Sequence, residues 1–267
     1  MSSSSSDNYD SLRDVALLYD HVGGYGTRAD IAFYVDEALR ADGNILELAS
    51  GTGRVLIPIA RSGKRVTGVE HSRQMLDRCR EKVAAEPSDV RIRVTLVDAD
   101  IRDFALGEHF ALAIIPFRPM QHLISVDDQL SCLDAVRRHL VPGGRLIFDV
   151  FNPDFARISA PSEAEFEDAP EVPLPDGSRF RRAGRVAAVH RLAQISDIEL
   201  IYYVTSPKGD VERRVHAFPM RWYLRLELEH LLARAGFTID AMYGDFDRSP
   251  LVDASPEIVV VARSVNG

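Results

Sequence analysis

Glu47-Leu48-Ala49-Ser50-Gly51-Thr52-Gly53-Arg54 follows the start of an apolar run, Ile45–Leu48, that reads as a buried strand, and an apolar helix begins near Arg54. In that order of strand, glycine turn and helix a nucleotide can approach the backbone. Glycine lets the chain turn sharply and removes the Cβ that would stand in the ligand's way. Glu70 ends the next apolar run, nineteen residues past Gly51, the spacing at which a carboxylate accepts hydrogen bonds from ribose hydroxyls. The third glycine of a dinucleotide-binding turn is replaced by Leu56, and Pro58 follows. A helix kept off its strand in this way cannot hold a pyrophosphate at its N-terminus. The turn therefore predicts a nucleoside ligand without phosphates.

The alternation continues outward. Arg65–Val69 reads as a second strand, and Ser72 caps a helix with Met75, Leu76, Cys79 and Val83 on one face. Arg91–Val97 and Phe110–Ile115 read as the third and fourth strands, followed by a helix from about Val126 to Leu140. Gly143-Gly144 turns into a fifth strand, Leu146–Phe151. Upstream, Ile31, Tyr34, Val35, Ala38 and Leu39 mark a helix led by Thr27 with Asp30 three residues on, a capping-box spacing. Strands alternating with helices imply right-handed crossovers and a parallel sheet.

After Asn152 the pattern changes. Residues 159–177, rich in Pro, Glu, Asp and Ser, predict an exposed connection. Arg179–Val189, Leu192–Ile195, Glu199–Thr205 and Val211–Phe218 are strand-patterned, with Lys208-Gly209-Asp210 as a hairpin turn. Arg179–Arg182 reads as the polar face of the first of these. Leu228, Leu231, Leu232 and Ala235 form a helix face stopped by Gly236, and strands Thr238–Tyr243 and Glu257–Ala262 close the sheet. The predicted fold is α/β: a doubly wound, mostly parallel, seven-stranded Rossmann-like sheet with an inserted antiparallel β-sheet. Residues 1–18 are expected to be a flexible tail and the start of an N-terminal lid, and 19–158 the cofactor-binding core. Residues 159–222 would be the inserted lid and acceptor region, and 223–267 the end of the core.

Composition narrows the function. In 267 residues, 46% hydrophobic content allows a packed core, while a net charge of −8 without a Lys/Arg run disfavours nucleic acid. Cys79 and Cys132 are isolated, so neither a disulfide framework nor a metal site is expected. MSSSSSDNYD has no apolar segment of a signal peptide. No apolar run approaches the roughly 20 residues that span a bilayer. The expectation is a cytoplasmic protein with no nucleic-acid or membrane partner.

These stretches together resemble the class I S-adenosylmethionine-dependent methyltransferase family, small-molecule type, over residues 19–151 and again over 222–262. Glu47–Gly53 corresponds to the family's glycine-rich motif, and Glu70 to its ribose-binding acid. Asp98-Ala99-Asp100-Ile101-Arg102-Asp103-Phe104 is similar to the motif that meets the adenine amine. The resemblance implies S-adenosyl-L-methionine as cofactor. Its expected contacts are Tyr19, Glu47, Ala49, Gly51, Gly53, Arg54, Glu70, His71, Met75, Asp100, Ile101 and Pro116. Tyr25 and Arg28 are weaker matches than Tyr19 for the cofactor's carboxylate. By the same likeness Asp100 would bind the adenine amine, the alternative reading being a turn carboxylate after a strand. The resemblance also implies a small-molecule methyl acceptor and suggests a homodimer.

Methyl transfer from a sulfonium is an in-line displacement that the protein promotes by orientation. An oxygen or nitrogen nucleophile must also lose a proton. Within Ile115-Pro116-Phe117-Arg118-Pro119-Met120-Gln121-His122-Leu123, at a strand's carboxyl end, His122 is the first candidate base. A histidine hydrogen-bonded at a helix start is an equal reading of it. His216, Tyr202, Tyr203 and Arg221 in the insertion, and Asn152 and Asp154 after the fifth strand, are candidates for the acceptor side or for packing. The competing functions are a nicotinamide oxidoreductase, a protein or RNA methyltransferase, and a non-catalytic cofactor-binding module. Leu56 and the Asp100 motif count against the first.

Overall fold

The computed structural model describes residues 15–156 and 164–265. The polyserine start and residues 159–163 of the connection lie outside the described residues. A short helix α1 (Val15–Asp20) precedes α2 (Ala29–Arg40). The core then alternates β1 (Ile45–Leu48), α3 (Leu56–Arg61), β2 (Val66–Glu70), α4 (Arg73–Ala84), α5 (Ser88–Arg91), β3 (Val94–Asp98), β4 (Phe110–Ile115), α6 (Val126–His139) and β5 (Leu140–Phe151). Four strands follow: β6 (Phe166–Pro173), β7 (Arg179–His190), β8 (Ile195–Thr205) and β9 (Val211–Arg221). The chain ends with α7 (Arg225–Arg234), β10 (Phe237–Tyr243) and β11 (Glu257–Ser264).

The seven-stranded sheet has the order β10-β11-β5-β4-β1-β2-β3, and a separate antiparallel sheet has the order β6-β7-β8-β9. The first is parallel from β3 to β5, with β11 antiparallel to both β5 and β10. This is the doubly wound sheet with an inserted antiparallel sheet that the alternation predicts. Side-chain alternation divides its core into two faces. Leu46 and Leu48 of β1 pack with Leu133 and Val136 of α6 and Leu232 of α7. Ile45 packs instead with Phe33 and Tyr34 of α2 and Ile59 of α3. The smaller sheet closes its own cluster on α1, where Val15 and Leu18 meet Phe180 and Tyr202. No helix among the described residues is long and apolar enough to cross a membrane.

Four local expectations are corrected. Thr27 ends a 3-10 turn and Arg28 takes the N-cap position of α2 without a side-chain bond, because Asp30 is committed to Arg54 at 2.7 Å. Part of the connection expected over 159–177 is the edge strand β6. Its prolines are tolerated because an edge strand leaves one set of backbone groups unpaired. Leu192–Gln194 falls in the turn between β7 and β8, and Leu192 is fully exposed. Arg182 is not on a polar face. It is 2% exposed, paired with Asp168, and donates to the Tyr25 hydroxyl at 2.5 Å.

The residue in place of the third glycine has a definite seat. Leu56 opens α3 fully buried, and a Cβ on Gly68 of β2 would lie 2.4 Å from Leu56 Cδ1 and 2.8 Å from Ser50 Oγ. Gly68→Ala should therefore destabilise the fold by about 1–3 kcal/mol through overpacking. Adding Leu56→Val should return part of that loss. Thermal unfolding reads both, and an unchanged Tm for Gly68→Ala would show that the contact is not close.

Candidate active site

The glycine turn, the end of β2 and the start of α4 meet on one carboxylate. Glu70 Oε2 accepts the Gly51 amide at 2.8 Å, while Oε1 accepts the amides of His71 at 3.0 Å and Ser72 at 2.8 Å. Burial raises the pKa of Glu70 against the pull of these three donors. Gly51 sits at φ +55, and a Cβ there would meet only Ala49 O at 4.0 Å, so the turn presents an open face. Above it lies a cleft floored by Ala49, Gly51, Glu70, His71, Ser72 and Met75. Asp100, Ile101 and Arg102, after β3, form one wall. Tyr19 of α1 and the loop residues Pro116, Phe117, Pro119, His122 and Leu123, after β4, form the others.

Two acidic residues of the motifs differ in character. Asp100 is half-buried, which opposes ionisation, but Arg102 grips both its oxygens, 3.0 Å from Oδ1 and 2.5 Å from Oδ2, and holds its carboxyl below the usual range. Arg102 also reaches Asp128 at 2.9 Å. Glu47 on β1 is 2% exposed, and its Oε2 has no hydrogen-bond partner. Burial holds its carboxyl well above the usual carboxylate range.

The loop after β4 is strained. Phe117 (φ 67) and Arg118 (φ 74) are successive non-glycine residues in the left-handed region, at a cost on the order of 1–3 kcal/mol each. The Phe117 amide donates to Asp149 Oδ1 at 2.9 Å, and the Tyr34 hydroxyl donates to the same oxygen at 2.6 Å. Arg118 and Arg28 both donate to Glu257 Oε1 at 2.5 Å. Arg54 lies over the Phe117 ring at 4.6 Å and Arg28 at 5.0 Å, with Tyr25 edge-on at 4.7 Å. His122 closes the loop with its ring 5.1 Å from Phe218 of β9.

Helix α1 is tied to the turn by Asp20. Its carboxylate accepts from the Thr52 hydroxyl at 2.6 Å, Arg78 at 2.8 Å and Lys82 at 3.0 Å. Tyr19, the next residue, stands in the cleft wall, where burial raises its phenol above the ordinary value.

The cleft thus brings together Tyr19, Ala49, Gly51, Glu70, His71, Met75, Asp100, Ile101, Pro116 and His122. Glu47, Gly53 and Arg54 do not line it, and Arg54 is held behind the wall by Asp30. Tyr25 and Arg28 brace Phe117. On the inserted sheet Tyr202 faces Arg182, while the Tyr203 hydroxyl bonds Glu165 at 2.7 Å on the opposite face. His216 packs on Phe218, and Arg221 pairs with Glu227. Asn152 ties down the Asp253 and Ser255 carbonyls, and Asp154 caps the Ala156 amide. Ser72, Arg102, Phe117, Pro119 and Leu123 also line the cleft. Four of these five sit inside the two motif stretches, so loop position was the available signal.

Residues 45–144 match the model of the methyltransferase domain family. The chain is similar to the CcbJ methyltransferase from Streptomyces caelestis, with 29% identity over 94% of this chain and 96% of that one and a TM-score of 0.74. It is also similar to the dTDP-3-amino-3,6-dideoxy-alpha-D-glucopyranose N,N-dimethyltransferase of Streptomyces fradiae, 25% identical over 86% of both chains. The fold matches that of CalS10, an amino pentose methyltransferase from Micromonospora echinaspora, at a TM-score of 0.68 and 20% identity over 94% and 97% of the two chains.

Burial pushes the His122 imidazole down to about 4 from its ordinary 6.5. Proton-detected histidine titration should place its midpoint near that value, with a neutral ring throughout the neutral range. Because the unfolded chain takes up this proton first, acidification from about 6.5 toward 4 should cost stability. A midpoint close to 6.5 would contradict the burial of this ring.

Proposed function

We propose that this class I S-adenosylmethionine-dependent methyltransferase transfers its methyl group to an oxygen or nitrogen nucleophile of a small molecule, with an amine on a sugar-like acceptor as the first candidate. The observation that carries the reading is that one cleft holds the nucleoside-type residues Gly51, Glu70 and Asp100 together with a neutral imidazole, His122. The amine preference is supported by the activity named for the Streptomyces fradiae relative.

The residues fit the cofactor. The open face at Gly51 admits a ligand against the backbone, and Leu56 seated on Gly68 fills the space a pyrophosphate-binding helix would need. Glu70 would take the ribose hydroxyls with the lone pairs its amide donors leave free. Asp100, oriented by Arg102, would meet the adenine amine, with the Ile101 amide beside the ring. Met75 and His71 would pack around the nucleoside, and Tyr19 and Pro116 around the amino-acid part. Glu47, buried behind the turn and outside the cleft lining, is given no contact with the cofactor. The cofactor supplies a methyl group already activated on a sulfonium. His122 would take the proton that an ammonium or hydroxyl acceptor releases, and Phe117 and Tyr19 would exclude water. A low imidazole pKa makes His122 a weak base, but one always in its accepting form above about pH 5.

Calorimetry with S-adenosylmethionine and S-adenosylhomocysteine should give micromolar binding to the wild type. Glu70→Ala should weaken it by about 10–100-fold, the loss of hydrogen bonds to a charged group. Undiminished binding by Glu70→Ala would remove the ribose assignment, and no binding by the wild type would remove the reading itself. With amines, amino sugars and phenols as acceptors, His122→Ala should lower kcat by about 10²–10⁴-fold. A kcat within twofold of wild type would exclude His122 as the base.

A further inference from the structure

We propose that Asp149 and Glu257 are positioning residues for methyl transfer, holding the loop from Pro116 to His122 in the strained form that sets Phe117 and His122 in the cleft; this rests on the function proposed above. Neither carboxylate lines the cleft. They stand on neighbouring strands, Asp149 opposite Val259 and Glu257 opposite Phe151. Both are buried, at 0% and 5% exposure. Each grips one of the two left-handed residues: Asp149 takes the Phe117 amide, and Glu257 the Arg118 guanidinium.

Nothing intrinsic to Phe117 or Arg118 favours that conformation. Pro119 disfavours the right-handed helical alternative at Arg118, so a released loop would extend. The far end is fixed separately, since Gln121 donates to Arg221 O at 2.7 Å and accepts the Phe151 amide at 3.0 Å. Between the end of β4 and Gln121, the two carboxylates hold Phe117 and Arg118, while the Tyr223 hydroxyl donates to Met120 O at 2.9 Å. Buried ion pairs add little net stability. What they contribute here is geometry: Phe117 is wedged between Arg28 and Arg54, and Arg28 is itself held by Glu257.

Arg118→Gly separates positioning from folding. It removes the grip of Glu257, while glycine adopts φ 74 without penalty. The Tm should stay within about 3 °C of wild type. Amide hydrogen exchange over residues 115–122 should quicken by about tenfold or more. The kcat should fall about 10–100-fold, as expected for a small misplacement, with the acceptor KM changed less than about threefold. Arg118→Lys keeps a cation for Glu257 and should restore kcat to within about threefold of wild type. Unchanged exchange together with a kcat within twofold of wild type in Arg118→Gly would overturn the proposal. So would a kcat loss that tracks a large fall in Tm and is not rescued by lysine. Exchange needs no substrate, so a wild type that transfers no methyl group counts against the proposed function while exchange still decides the restraint.

Discussion

Three backbone amides converge on the Glu70 carboxylate, and they come from two places in the chain: Gly51 of the glycine turn, and His71 and Ser72 between β2 and α4. The open face at Gly51, the floor from His71 to Met75 and the acid itself are therefore one rigid unit. A carboxylate is suited to the task because it accepts several hydrogen bonds at once and keeps lone pairs for a ligand. The same donors that fix its position offset part of its burial cost.

Packing beside that unit decides what kind of nucleotide can bind. In a dinucleotide turn the small residue sits on the helix, so the helix comes down on the strand. Here the small residue is Gly68, on the strand, and the large one is Leu56, on the helix. The helix still packs densely, with a buried leucine in its first turn. On the proposed reading, this exchange of sizes across one contact would favour a nucleoside over a pyrophosphate.

How much of this could be read beforehand followed the range of each interaction. Gly51, Glu70 and Asp100 were legible because their positions follow from strand ends and short spacings. Phe117 and Arg102 lay in loops already singled out, yet nothing local marked Phe117 as left-handed. Its restraint comes from Asp149, and that of Arg118 from Glu257, 139 positions away. Arg182 reads as a surface strand residue because its partners are distant in sequence: Asp168 is brought to it by the pairing of β6 with β7, and Tyr25 by the packing of the segment after α1 on the inserted sheet. Arg54 sits inside the glycine motif, but its partner Asp30, on α2, draws it out of the cleft. The edge strand β6 was hidden by its prolines and acids, which mark an exposed strand as readily as a loop.

Asp20 joins α1 to the glycine turn and to two cations of α4 with a single side chain. Tyr19 beside it is part of the cleft wall, so the wall cannot swing outward on that side without parting a carboxylate from Arg78 and Lys82. A cofactor product leaving past Tyr19 would have to part this partly exposed ionic cluster. Such contacts weaken as counterions accumulate around them. Turnover limited by that departure would quicken as ionic strength rises, the reverse of what salt does to an enzyme that gathers a charged substrate by long-range attraction.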